Sequence, residues 1–375
     1  MADVIRKLAP SEHTQLLHLL ERGFGHEEGF FQRESPQWYA DPEACCATSY
    51  VIESGASLVS HVGLYPIEMT AAGLSCKVGG IGAVVTAPAE RGKGHMSRLL
   101  QHVITAMRQE GYALSWLGGD RQRYNSYGWE TAELTYELTI TPRSLDWAAV
   151  VPAAMEERSP EEARPTIEAL HRKACCWAAR PNLAQQLGKQ NLRIWTAEDG
   201  YAIVRGAEGG RQQILELVSA SRREPRLIRT ILEQTQATMA SWRLPACDRE
   251  RLARMMPYAA QWHAGPNGMY RIVDLALLIE AAVPHLRHWA DALEGYSLCL
   301  AVQEHDRTMV ATLSFSDGDV QVAAGRSADQ VIEMDILEAA RLLLGGPPSG
   351  HEAALPPCLL AALPLPAHIL PMDSV

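Results

Sequence analysis

From Tyr50 to Thr86 apolar residues gather in three short runs, Tyr50-Val-Ile-Glu, Leu58-Val-Ser-His-Val-Gly-Leu-Tyr and Gly79-Gly-Ile-Gly-Ala-Val-Val-Thr. Turns containing glycine and serine separate them, so each predicts a strand. Past Pro88 the period changes: Met96, Leu99, Leu100, Val103, Ile104 and Met107 recur three and four residues apart. That spacing predicts one helix with a single buried stripe, stopped by Gly111. A strand at Leu114-Ser-Trp-Leu, a polar segment from Asp120 to Trp129 and an alternating strand around Leu134–Ile140 follow. Residues 1–150 therefore predict a mixed α/β unit.

Pro152 to Pro165, rich in Pro, Glu and Ala, reads as a connector or surface helix, which places a boundary near residue 150. Beyond it come a helix near Thr166–Trp177, strands at Tyr201-Ala-Ile-Val and Ile214-Leu-Glu-Leu-Val, a helix near Arg226–Gln236 and a strand at Met239-Ala-Ser-Trp. Strand, helix, strand here echoes residues 79–117. The third stretch, 271–375, reads as a small α+β unit. It has a helix from Val273 to about Leu293, alternating strands at Leu298–Val302 and Met309–Phe315, and a hairpin turn at Asp317-Gly318. Ser327 and Gln330 spell a capping box before a helix ending near Gly345-Gly346. The apolar, proline-containing tail from Ala354 to Val375 is expected to dock on the protein.

Composition narrows the classes. With 375 residues, 47% hydrophobic and 21% charged, the chain has room for more than one core and is not a disordered polyelectrolyte. A net charge of −10 argues against nucleic-acid binding, which calls for a basic face, and suits cationic partners better. The eight cysteines include two adjacent pairs but no C-x-x-C, so they read as reduced and structural, with no metal site expected. The N-terminus has no apolar signal region and no unbroken apolar run is long enough to span a membrane. A cytoplasmic protein without membrane partners is the expectation; self-association into a homo-oligomer stays open.

The predicted strand ending at Thr86 leads through Pro88 into Arg91-Gly-Lys-Gly-His-Met-Ser97, where the helix begins. Unpaired backbone N–H groups collect at such a helix start and favour an anion. Arg91, Lys93 and Arg98 crowd this positive end, with Glu90 opposing, an arrangement that an anionic ligand relieves. The spacing is neither G-x-x-x-x-G-K-[ST] nor G-x-G-x-x-G, which argues against ATP and NAD.

The stretch Val84-Val-Thr-x-Pro-x-x-Arg91-Gly-Lys-Gly94 resembles motif A of the GNAT acetyltransferase superfamily. Leu117-Gly-Gly-Asp-Arg-Gln-Arg-Tyr124-Asn-Ser-Tyr127-Gly-Trp129-Glu is similar to the tyrosine segment of its Eis-type branch. The resemblance implies an α/β (α+β) fold of two GNAT-like mixed-sheet domains, 1–150 and 151–270, the second degenerate because Ser219–Pro225 lacks a glycine. A sterol-carrier-protein-like domain, 271–375, would follow. It implies acetyl-CoA as co-substrate, an N-acetyltransferase activity, and a small-molecule, peptide or lysine amine as acceptor. Cofactor contacts fall on Val84, Val85, Arg91, Gly92, Lys93, Gly94, His95, Met96 and Ser97; Met96 departs from the family pattern, which has Gly or Ala there.

The same resemblance makes Tyr124 the acid that protonates the leaving thiolate and the C-terminal carboxylate of Val375 the base. Tyr127 competes with Tyr124 for the first role, though packing suits Tyr127 and Trp129 better. His61, Glu68 and Asp373 are reserve bases. The alternative function is a non-catalytic CoA-sensing or lipid-binding protein that keeps the fold.

Overall fold

The structure, a computed structural model, describes residues 3–207, 209–305 and 307–375. By contact the chain parts into two compact units, Met1–Glu133 with Gly268–Ala367 and Ser374–Val375 in one, Leu134–Asn267 with His368–Asp373 in the other. Contacts thus group most of the first and third sequence stretches together. Both units are mixed α+β.

In the first unit β1 (Val4–Lys7), β2 (Ser49–Ser54), β3 (Ser57–Ala71) and β4 (Leu74–Thr86) pair antiparallel in that order. Strand β5 (Leu114–Leu117) then joins β4 in parallel. Residues Met269–Ile272 pair antiparallel with β5 on its other side. Helix α1 (His13–Phe24), which the sequence reading passed over, buries Leu16, Leu17, Leu19 and Leu20 against Val51, Tyr65 and Val85. A parallel pair needs a crossover, and α2 (His95–Gln109) supplies it. Its predicted stripe is buried at Leu99, Leu100, Val103, Ile104 and Met107, against Val62, Leu64 and Ile81. Each such side chain contributes roughly 1.5–3 kcal/mol. Gly79 lets this helix approach, since a Cβ there would lie 2.5 Å from the Met107 sulfur.

In the second unit β6 (Glu130–Ile140) pairs from Thr135 onward. It and β7 (Leu192–Ala197), β8 (Gly200–Ala207), β9 (Arg211–Ser219) and β10 (Met239–Pro245) lie in the order β6-β10-β9-β8-β7. Strands β9 and β10 are parallel, with α3 (Glu224–Thr235) between them in sequence. The strand–helix–strand echo is therefore present. The helix expected at Thr166–Trp177 begins earlier: Ser159 and Glu162 form a capping box and the helix is Pro160–Leu170. Cys176–Ala178 is a strand instead.

The third stretch returns to the first unit with α4 (Leu275–Leu286). Pro284 lies within its last turn, and beyond it the expected continuation to Leu293 is broken into single 3-10 turns, Arg287–Trp289 and Asp291–Leu293. A sheet of β11 (Ser297–Glu304), β12 (Arg307–Ser316), β13 (Asp319–Ala324) and β14 (Val331–Asp335) follows, ordered β13-β12-β11-β14. Asp317 and Gly318 both take positive φ, 53° and 69°, as a two-residue hairpin turn requires. The Ser327/Gln330 capping box does not form. Residues 331–335 alternate and pair in parallel with β11, and the box that caps α5 (Ile336–Leu344) is Asp335 with Glu338. The apolar pocket of this layer, bordered by Ile279, Leu300 and Leu365, encloses only about 20 Å³, less than a lipid chain occupies. Among the described residues no helix is long and apolar enough to cross a membrane.

Candidate functional site

Strand β4 carries an irregularity where the site begins. Its register with β3 shifts between His61 and Gly63, and Ala83 takes a φ of +49°. His61 holds this bulge: its Nδ1 lies 2.8 Å from the Ala83 carbonyl oxygen and its Nε2 3.0 Å from Ser49 Oγ. Burial pushes the His61 pKa down to about 4, against the opposing pull of the Ala83 carbonyl. A neutral imidazole with both nitrogens engaged pins the strand; it is not placed as a base. On the other edge, β4 pairs with β5 from Val78–Leu114 to Gly80–Trp116, and β4 then continues to Thr86 past the end of β5.

From there the chain reaches α2 through two left-handed glycines, Gly92 at φ +79° and Gly94 at +77°, each with open space where a Cβ would stand. Gly94 is the N-cap and makes no side-chain cap, so the first amides of α2 keep their donors for a ligand. The contrast with α3 is direct. There Pro225 removes one first-turn donor and Glu224 sets a carboxylate at the helix start, while Arg223 pairs with Asp199, so that start already carries its own anion.

A cavity of about 580 Å³ opens at the α2 start, and Val84, Val85, Arg91, Gly92, Gly94, His95 and Met96 all line it. Two predicted contacts are turned elsewhere. Lys93 pairs with Glu90 at 2.8 Å, and Ser97 Oγ meets the Tyr127 hydroxyl at 2.5 Å. Arg98 pairs with Asp3 at 2.7 Å, an acidic neighbour invisible to a local reading. Buried His95 sits between Asp3, 3.6 Å from Nδ1, and Glu90, 3.4 Å from Nε2. The sequence reading missed Gly23, Phe24 and Arg123, which also line the cavity. Gly23 was the available signal: a Cβ there would stand 2.1 Å from Val85 Cγ2, so only glycine lets α1 close this wall.

Tyr124 ends a one-turn helix, Arg121–Tyr124, whose N-cap Asp120 accepts the Gln122 amide at 2.9 Å. Its ring packs edge-on to Trp129 at 6.4 Å and passes over Gly119, where a Cβ would come within 2.6 Å. Burial raises its pKa, with Arg123 opposing, so the phenol keeps its proton at neutral pH. Tyr127 is engaged by Ser97, and Trp129, fully buried, donates to Ser115 Oγ at 3.2 Å; packing describes both. The turn between them is fixed by Arg271, which donates to the Tyr127 carbonyl and pairs with Glu304. A Cβ on Gly128 would lie 2.0 Å from the Arg271 guanidinium.

Val375, in the irregular tail, packs against β4, the strand that carries Val84 and Val85 of the cavity wall. A Cβ at Gly82 would approach its carbonyl carbon at 3.1 Å, and one at Gly80 its Cγ2 at 2.8 Å. The residue packs on the cluster that includes Tyr65 and Val85. The reserve bases are otherwise employed. Glu68 is exposed on β3 opposite Lys77. Asp373, in the second unit, receives Arg180 at 2.7 and 2.8 Å. Desolvation raises the Asp373 pKa, but Arg180 and Gln186 more than offset it and hold the carboxylate ionised.

Residues 4–132 match the model of the acetyltransferase (GNAT) domain. Among curated proteins none matches the chain. Solved structures with the same fold include a GCN5-related N-acetyltransferase from Kribbella flavida, 18% identical over 97% of both chains with a TM-score of 0.71. Another, from Anabaena variabilis, is 18% identical over 100% of both with a TM-score of 0.70. Eis1 from Mycobacterium abscessus is 17% identical over 100% of this chain and 99% of its own, with a TM-score of 0.66. At such identities the likeness is one of fold. What goes beyond fold is the match of residues 4–132 to the acetyltransferase (GNAT) domain, and the enzyme class it supports is N-acetyltransferase.

Proposed function

We propose that the protein moves an acetyl group from acetyl-CoA to a primary amine by direct attack in a ternary complex. The observation that carries this reading is the 580 Å³ cavity at the uncapped start of α2. The α2 amides and Arg91 would hold the diphosphate. Where β4 runs on past β5, the Val84 and Val85 backbone would hold the pantetheine arm and polarise the thioester carbonyl. When bound, acetyl-CoA supplies an activated acyl carbon with a thiolate leaving group.

The protein then manages two protons. The Val375 carboxylate takes the proton that the acceptor ammonium must lose before its nitrogen bonds to the acyl carbon. The Tyr124 hydroxyl gives its proton to the sulfur as the C–S bond breaks. The net charge of −10 favours a cationic acceptor, a small polyamine-like molecule, a peptide or a lysine. In this reading the chain is an Eis-type enzyme: a GNAT domain in 1–150, a degenerate one in 151–270, and a sterol-carrier-like 271–375 that delivers the tail. The proline and the carboxylate at the start of α3 support a second GNAT-like stretch that binds no CoA.

Release of CoA with a panel of amines tests the assignment. Tyr124→Phe is expected to lower kcat about 10²- to 10⁴-fold while acetyl-CoA affinity holds. Undiminished turnover in that variant would remove Tyr124 from the mechanism.

A further inference from the structure

Three of the cysteines read from the sequence as reduced and mostly structural come together in space. Cys175 and Cys176 lie where the strand Cys176–Ala178 begins, and Cys247 lies just past the end of β10. Folding of the second unit brings their three Sγ atoms within 4.8 Å of one another, with Cys176 and Cys247 at 3.6 Å. No C-x-x-C spacing announces this group, because its third member comes from 71 residues further along the chain.

We propose that Cys175, Cys176 and Cys247 form a site for one soft, thiophilic cation of the Zn(II) or Cu(I) type. A metal–sulfur bond of about 2.3 Å places thiolates about 3.8–4.0 Å apart, a little above the 3.6 Å between Cys176 and Cys247 and inside the 4.8 Å that bounds all three. Three thiolate ligands from protein suit a trigonal monovalent ion, or a divalent one that adds a water. Cys176 is buried and lines a pocket with Leu215, Leu217 and Trp242, while Cys175 and Cys247 are half-buried. Binding releases the three thiol protons to solvent and leaves a net negative site. Arg251 and Asp248 line the same pocket as Cys176 and pair with each other at 3.2 Å, so both signs of charge stand beside the site. The site lies in the second unit, whereas the acetyl-CoA cavity is built from the first.

The test uses the full chain, reduced and held without oxygen. It is titrated with Co(II), as a coloured stand-in for Zn(II), and separately with Cu(I), each against a competing chelator. We expect one cation per chain, a thiolate-to-metal charge-transfer band, and at least a tenfold loss of affinity in Cys247→Ser. Cys299→Ser, altered in the first unit, should bind as the parent does. Far-UV circular dichroism shows that Cys247→Ser is folded before it is titrated, and Cys175→Ser serves in its place if it is not. A band with Co(II) identifies the water-completed site and a response to Cu(I) alone the trigonal one; both support the proposal. No band with either cation, or equal binding by Cys247→Ser, overturns it.

Discussion

Two residues in this enzyme act by what they exclude. Gly128 combines a φ of +86° with a guanidinium where a Cβ would stand. Gly128→Ala is therefore expected to destabilise the fold by about 2–4 kcal/mol, read as a lower denaturation midpoint; a change below about 0.5 kcal/mol would contradict this account of the turn. His61 is held neutral by burial. Because its folded pKa, about 4, lies below the ordinary value of 6.5, the unfolded chain binds the extra proton first. Its contribution is intact above pH 6.5 and is lost as pH falls towards 4, by roughly 3 kcal/mol in all. An imidazole resonance titrating near 4 in the folded protein is the expected observation, and one titrating near 6.5 would refute it. Neither role is visible in sequence: a histidine on an alternating strand gives no sign that its two nitrogens face Ala83 and Ser49.

Among the elements, α2 was legible and α1 was not, for physical reasons. The stripe of α2, its glycine loop and its basic start lie within one short window, where periodicity and charge carry the signal. What the window could not show was Asp3 against Arg98 and Phe24 over the cavity, since both arrive from distant chain. The C-terminal segment is the other element whose role depends on long-range contact. Asp373 is fixed by Arg180, and Gln186 and Lys189 donate to the Met372 carbonyl at 2.8 and 3.2 Å. Removing Ser374 and Val375 leaves those bonds in place. The truncated enzyme should keep its melting temperature within a degree or two and lose at least tenfold in kcat. Full turnover without them would assign the base elsewhere.

For the whole molecule, sequence order and spatial grouping differ. Patterning along the chain divides it near residues 150 and 270, yet residues 268–367 join the first unit. The link is made by Met269–Ile272 against β5. Hydrophobic periodicity reports which face of an element is buried, not which distant strand it meets, so fold class was readable and grouping was not. The same limit hid the three cysteines. It did not hide the glycine loop before α2, because glycine conformation and backbone donors are set locally.

The proposed reaction depends most directly on the loop from Arg91 to Ser97 holding the diphosphate of acetyl-CoA. Gly92 offers a clean probe, being exposed, left-handed and free of neighbours, so that Asn and Asp are both tolerated there. Titration calorimetry with acetyl-CoA should give one site per chain, with Gly92→Asn near the parent. Gly92→Asp, which sets a carboxylate against the phosphates, should bind at least tenfold more weakly. Equal affinity for the Asn and Asp variants would contradict the placement of the cofactor.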